Sequence, residues 1–195
     1  MKGKYLKGKI IEYDGSQLAP LWAYTSFDVA GDSIVSFRGP CNILEENMLD
    51  VADRKKNAII SSPDMIHFIV EIFGYDITKA VLAQRLLITT AMDAIRDAGI
   101  EEDAEIEREH DNIYAYAPGD EERGKLSISV ATCSPVSGLI HLGLNISSEG
   151  TPVKTVGLNE IGIKDIDGFV VEVARRFIDE MKNVAIDSSK VRPVI

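Results

Sequence analysis

The sequence lacks the usual marks of an exported, membrane-bound or nucleic-acid-binding protein. It holds two cysteines in 195 residues, Cys41 and Cys133. They are too few for a disulfide framework and too far apart for the CxxC spacing of a zinc site. No stretch approaches the ~20 consecutive apolar residues of a membrane span. The start, MKGKYLKGKII, is basic but has no sustained apolar run of the secretory kind. Positive charge is also in deficit: 21 Lys and Arg stand against 31 Asp and Glu, a net charge of −10. A nucleic-acid partner would ask for a basic face, so none is expected, and neither is a membrane partner. The acidity reads as solubility, and the expected compartment is the cytoplasm. A Walker loop, a GxSxG elbow and a dinucleotide fingerprint are all missing.

What is present is the composition of an ordinary globular protein, with 45% hydrophobic and 27% charged residues. At this length a single domain over 1–195 is expected. A first strand is expected over 5–13, ending at Asp14-Gly15, then a short helix over 18–27 with Leu21 and Trp22 turned inwards. A second strand over 32–37 should stop at Arg38-Gly39-Pro40. Residues 41–61 have no clean period, though Ala58-Ile59-Ile60 suits an edge strand. Ser62-Pro63-Asp64 has the chemistry of a helix start, and a helix is expected over 63–73. On it Asp64, His67 and Glu71 would form a polar stripe, which fits either a solvated face or a small ligand- or metal-binding group. No HExxH-like spacing sharpens it, and no metal is expected. A long buried helix should run over 77–97 to Gly99, with short strands over 104–109 and 112–116. An amphipathic helix over 166–184 and a tail that is either loose or pinned through Pro193-Val194-Ile195 close the chain. The order of elements argues for an α+β fold, a mostly antiparallel or mixed central sheet with helices packed on it.

The most informative stretch is 124–147, GKLSISVATCSPVSGLIHLGLNIS. Two runs alternating in character flank a Ser-Pro-Val-Ser-Gly segment and read as a β-hairpin. A turn centred on Val136 would set Ser127 opposite Asn145, Ser129 opposite Gly143 and Ala131 opposite His141. One face would then be small and polar, fit to meet water, a helix or a ligand. Cys133 would lie near His141, either as a structural thiol or as a nucleophile beside an imidazole.

With YDGSQL (13–18), DMIHFIVE (64–71) and SPVSGLIHLGLNI (134–146), the chain resembles a largely archaeal family known as a domain of unknown function. From about 60 to 146 its layout is also similar to the biotin and lipoate protein ligases, whose catalytic domain shares the class II aminoacyl-tRNA synthetase fold. That resemblance implies a biotin/lipoate ligase-like sheet and sets Gly124-Lys125-Leu126-Ser127 at the strand whose lysine contacts the acyl-adenylate. It sets Gly143-Leu144-Asn145-Ile146 at the strand whose asparagine lies at the pocket floor. The chain departs from those ligases in having Ile128 after the lysine strand's small residue and no glycine in 50–62, where their phosphate loop lies. Glycine favours such a loop because the backbone must approach phosphate closely.

The expected function is binding or transfer of a small acyl or carboxylate ligand over the hairpin. Lys125, His141 and Cys133 are the catalytic candidates. Ser127, Ser129, Asn145 and His67 are the ligand-binding candidates. The alternative is a non-catalytic ligand-binding or assembly module that keeps the fold without the chemistry. No particular cofactor is indicated, and a homodimer is compatible with the sequence.

Overall fold

The computed structural model of the protein describes residues 1–194. The chain runs through β1 (Lys2–Ile10), α1 (Trp22–Phe27), β2 (Ser33–Asn42), a 3₁₀ turn (Glu45–Asn47), α2 (Val51–Lys55) and β3 (Ser61–Phe73). It continues through α3 (Ile77–Asp97), β4 (Glu105–Glu109), β5 (Asn112–Tyr116), β6 (Gly124–Lys125), β7 (Ser127–Cys133), β8 (Ser137–Asn145) and α4 (Ile166–Lys190). The main sheet has the order β1-β2-β3-β8-β7, parallel between β1 and β2 and antiparallel elsewhere. A smaller sheet, β4-β5-β6, stands beside it. This is the expected α+β architecture.

Both faces of the main sheet are covered. Ile66, Phe68, Val70 and Ile72 of β3 join Ile140, Leu142 and Leu144 of β8 against Leu87, Ile88 and Ile95 of α3 and Phe169, Val173 and Phe177 of α4. The residues between them, Met65 and Ile69, face a second cluster with Tyr13, Leu18, Val35, Phe37 and Cys41. That two-sided burial explains the main departure from expectation: residues 63–73 form a strand, not a helix. A central strand buried on both faces shows an apolar run without alternation, and such a run reads equally well as a buried helix.

Other boundaries shift for local reasons. β2 does not stop at Gly39-Pro40; it passes through them on a bulge between Gly39 and Cys41. Residues 58–60 form no strand, although the Ile60 carbonyl accepts from the Ile43 N–H. Leu21 is exposed, not inward, and has a left-handed φ of 64°. α4 extends to Lys190, and Val194 is fully exposed, so the tail is not pinned there. Ile195 lies outside the described residues. α3, ended before Gly99 at φ +79°, and the strands around His110 lie where capping and turn chemistry put them.

The hairpin forms, but one residue out of the expected register. Cys133 pairs with Gly138, Val130 with His141, Ile128 with Gly143 and Ser127 with Leu144. Ser134 is the reason. Its N–H bonds the Ser137 carbonyl, and its hydroxyl accepts from Val136 and Ser137, closing a two-residue loop of Pro135 and Val136. A one-residue slip exchanges the faces of a strand relative to its partner. Ser127, Ser129 and Ala131 therefore share their face with Leu144, Leu142 and Ile140, towards the helices. His141 and Gly143 share theirs with Val130 and Ile128.

Past its bulge β2 is flanked by 11–13: the Ile11 and Tyr13 N–H groups bond the Arg38 and Pro40 carbonyls. A Cβ on Gly39 would lie 1.9 Å from the Ile11 carbonyl oxygen, which is backbone and cannot swing away. Gly39→Ala is therefore expected to destabilise by more than ~2 kcal/mol, as a clash inside packed structure does. Chemical denaturation measures this. Gly74→Ala, at φ +74° in open space, should cost only about 1 kcal/mol of backbone strain. Equal losses in the two variants would show that Ile11 yields.

Candidate functional site

The outer face of the β7–β8 hairpin is the floor of a cleft of about 380 Å³, small but within the range of small-molecule sites. Ile128, Val130, His141 and Asn145 come from the hairpin, and Met65 and Ser62 from β3. Tyr13 and Cys41 close one side, and Lys125 and Thr155 another. The remaining wall is a strap over 43–61 that contributes Asn47, Met48, Leu49, Asp50, Asp53 and Ile59. The strap is held at its ends by the Ile43–Ile60 bond and at Asn47, whose amide donates to the Asp14 carbonyl at 2.9 Å. Asp50 starts α2 within it, accepting from the Ala52 and Asp53 N–H groups.

His141 of the floor is paired with a second buried imidazole beneath it, His67. His67 Nε2 is 3.1 Å from the Gly39 carbonyl, and its Nδ1 is 3.1 Å from His141 Nε2. A carbonyl only accepts, so His67 carries its proton on Nε2 and, being neutral, has a bare Nδ1. His141 must then donate from Nε2, which leaves its own Nδ1 as an acceptor. Tyr13 stacks on His141 with centroids 3.7 Å apart, and Phe37 packs on His67 at 5.1 Å. Burial holds both rings neutral, pushing His67 down to about 4 and His141 well below the ordinary imidazole range, where the neighbouring His67 lowers it further. Burial likewise raises the Tyr13 phenol and pushes the Cys41 thiol up to about 12, so neither ionises at neutral pH.

Lys125 is fixed by its backbone. Its N–H bonds the Lys154 carbonyl, while its own carbonyl accepts from the Val156 N–H and, at 3.1 Å, from Asn145 Nδ2. Gly124 permits this approach, since a Cβ there would lie 2.5 Å from the Thr155 backbone. Among the described residues the Lys125 ammonium has no ion-pair partner.

The structure thus brings Lys125, His141, Asn145 and the backbone of Ser129 to one cleft and separates the other candidates from it. The Ser129 hydroxyl is engaged beneath, accepting from Gln84 Nε2 and donating to the Asp111 carbonyl. Ser127 is fully buried and accepts from the Ile113 N–H, away from the cleft. His67 is a fully buried strand residue beneath the floor, not part of a helical stripe. Cys133 is exposed at the hairpin's end, three pairs from His141 or roughly 10 Å along the strand, and on the opposite face. The thiol and imidazole do not meet. Glu71, placed by the sequence on a polar helical stripe, is buried in a strand and accepts from the Leu21 N–H and the Ser137 hydroxyl. Tyr13, Ser62, Met65 and Asp53 were not foreseen in the cleft. Tyr13, Ser62 and Met65 stood in segments that the sequence singles out for other reasons, and for Asp53 the helix-capping chemistry of Asp50 is the signal that could have found the helix.

The family described as a domain of unknown function (DUF366) matches residues 1–192. An uncharacterized protein of Methanocaldococcus jannaschii is 38% identical over 95% of this chain and 82% of its own length. A protein of unknown function from Pyrococcus horikoshi, of known structure, is 39% identical with a TM-score of 0.88, and each chain is covered in full. Both relatives are archaeal. At 12% identity, a biotin protein ligase of Aquifex aeolicus in complex with biotin and ATP superposes with a TM-score of 0.58 over 93% of this chain and 70% of its own. The bi-partite lipoate protein ligase of Thermoplasma acidophilum gives 0.56 at 14% identity, over 93% and 84%. The fold is therefore that of the biotin and lipoate ligases. No helix among the described residues is long and apolar enough to cross a membrane.

The neutral imidazole pair makes folding pH-dependent. A group with a lowered native pKa takes up its proton first in the unfolded chain, so stability falls as pH drops from about 6.5 towards about 4. For His67 the full loss is on the order of 3 kcal/mol. Denaturation midpoints between pH 7 and 4 measure it against a His67→Gln, His141→Gln double variant, whose curve should be flatter. Parallel curves would mean that the rings titrate normally.

Proposed function

The chain belongs to the DUF366 family, and we propose that its cleft binds a small acyl or carboxylate compound. The observation that carries this reading is Lys125, a lysine without an ion-pair partner among the described residues, in the lining of a half-enclosed cleft beside Asn145. The related fold of proteins solved with biotin or as lipoate ligases supports it as an analogy of architecture. In this reading Lys125 takes the carboxylate, Asn145 orients it from the floor, and Ile128, Val130 and Met65 receive the apolar part. If acyl transfer occurs, Lys125 would stabilise the negative charge developing on the acyl oxygen. A thiol route through Cys133 finds no support in its position. Two free cysteines suit a reducing compartment, and the cytoplasm is our proposed location.

A second reading, binding without catalysis, has its own observation. The strap that stands where a phosphate loop would be expected has no glycine between Gly39 and Gly74, and it contributes Asp50 and Asp53 to the cleft lining. Carboxylates repel a triphosphate, and a backbone without glycine is ill suited to cradle one.

Thermal-shift measurements with lipoate, octanoate and biotin, each with and without Mg-ATP, separate these readings. A bound acid at about a hundred times its Kd should raise Tm on the order of 5–10 °C. Lys125→Ala should abolish that rise while leaving the unliganded Tm within a degree or two. A rise that needs both acid and ATP would mark adenylation, and a rise with acid alone would mark a binding protein or transferase. No rise with any acid would remove the carboxylate reading.

A further inference from the structure

The cleft carries two unpaired charges of opposite sign. Asp53, half-buried on α2, has no partner for its carboxylate among the described residues. Lys125 has none for its ammonium, and the two do not pair with each other. The other carboxylates in the lining are engaged. Asp50 Oδ1 accepts from two N–H groups of α2, while Asp111 stands 3.7 Å from Arg85 and accepts from the Asn112 amide. Opposite charges left apart within one half-enclosed cleft forgo an attraction that a ligand bearing both complements would recover.

The neutral groups add a direction to this. Asn145 gives one amide N–H to the Lys125 carbonyl, which fixes the orientation of its amide and leaves the oxygen as a free acceptor. His141, by the tautomer that the Gly39 carbonyl imposes, also keeps a bare acceptor nitrogen. Ser62, only 5% exposed and in the lining, has a buried hydroxyl with no partner.

We propose that the ligand is a small zwitterion, a carboxylic acid carrying an ammonium group, with its carboxylate on Lys125 and its ammonium on Asp53. A plain fatty acid would leave Asp53 unpaired, and a nucleotide would bring negative charge against it. This assignment rests on the carboxylate reading above and narrows it to amino-carboxylates, with the spacing of their two charges set by the span between the strap and β6.

Calorimetric titration with three matched series of four to eight carbons tests it: n-alkanoates, n-alkylamines and ω-amino-alkanoates. The best ω-amino acid should bind at least ~10-fold more tightly than the alkanoate of equal length, as a hydrogen bond between charged groups would give. Asp53→Asn, a near-isosteric change on an exposed helix, should erase that ratio and leave the alkanoate unaffected. Lys125→Gln should weaken both acids and spare the amine. Alkanoates that bind as well as amino acids, or a ratio untouched by Asp53→Asn, would overturn the zwitterion while leaving the carboxylate reading in place. Failure of all three series to bind would overturn both.

Discussion

A strand with protein on both faces has no water to offer its polar side chains, and β3 buries two ionisable ones. His67 and Glu71 are 0% and 4% exposed, so each must be satisfied by the fold itself. Glu71 takes the Leu21 N–H on both carboxylate oxygens, at 3.0 and 3.1 Å, and the Ser137 hydroxyl at 2.7 Å. It thereby ties the segment before α1 to the start of β8 and holds Leu21 in a left-handed conformation that leucine rarely adopts. His67 ties the β2 bulge to the middle of β8 in the same way. Both residues face the second core cluster, away from the helices. A one-residue slip of β3 would send them among Leu87, Ile88 and Phe177, where nothing could pair with them. The register of the central strand is therefore set by its two buried ionisable side chains as much as by its apolar ones.

The same burial explains what could and could not be read from the amino-acid order. α3 was legible because Asp76 caps it, Gly99 ends it and one long face is apolar. The short strands either side of His110 were legible because the turn between them is polar and alternation survives on the solvent side. β3 was not, since two-sided burial erases the period that tells a strand from a helix. The hairpin was found, yet its faces were crossed, because a loop of two residues or three cannot be told from Ser-Pro-Val-Ser alone. Lys125, His141 and Asn145 still reach one cleft, for their positions depend on strand order more than on that register. The strap's place in the chain was legible but its role as a wall was not, because nothing in a segment without periodicity says what it will cover.

Sharing a fold with ligases fixes where a cleft can form and leaves open what it prefers to hold. The sheet brings a lysine and an asparagine to the floor here. The strap then decides the chemistry of the opposite wall, and it supplies carboxylates where phosphate recognition asks for glycine and positive charge. Arg54, Lys55 and Lys56 do not compensate, since they are exposed and absent from the lining. The strap is a connecting segment, the kind of element that tolerates change because little of the core depends on it.

The two sides of the cleft also differ in how firmly they are held. The floor is built on strands whose neighbours are buried, with His141 clamped between a stacked phenol and a hydrogen-bonded imidazole, so its acceptor nitrogen is oriented before any ligand arrives. The strap has few bonds to the rest of the chain and exposes Leu44, Leu49, Val51 and Ile59. Segments with few buried contacts open at low free energy. A ligand joining Asp53 to Lys125 would draw the less anchored wall onto the fixed one, and part of its binding energy would go into ordering the strap. Affinity in this cleft then depends on the floor for geometry and on the strap for selectivity, and changes in one need not disturb the other.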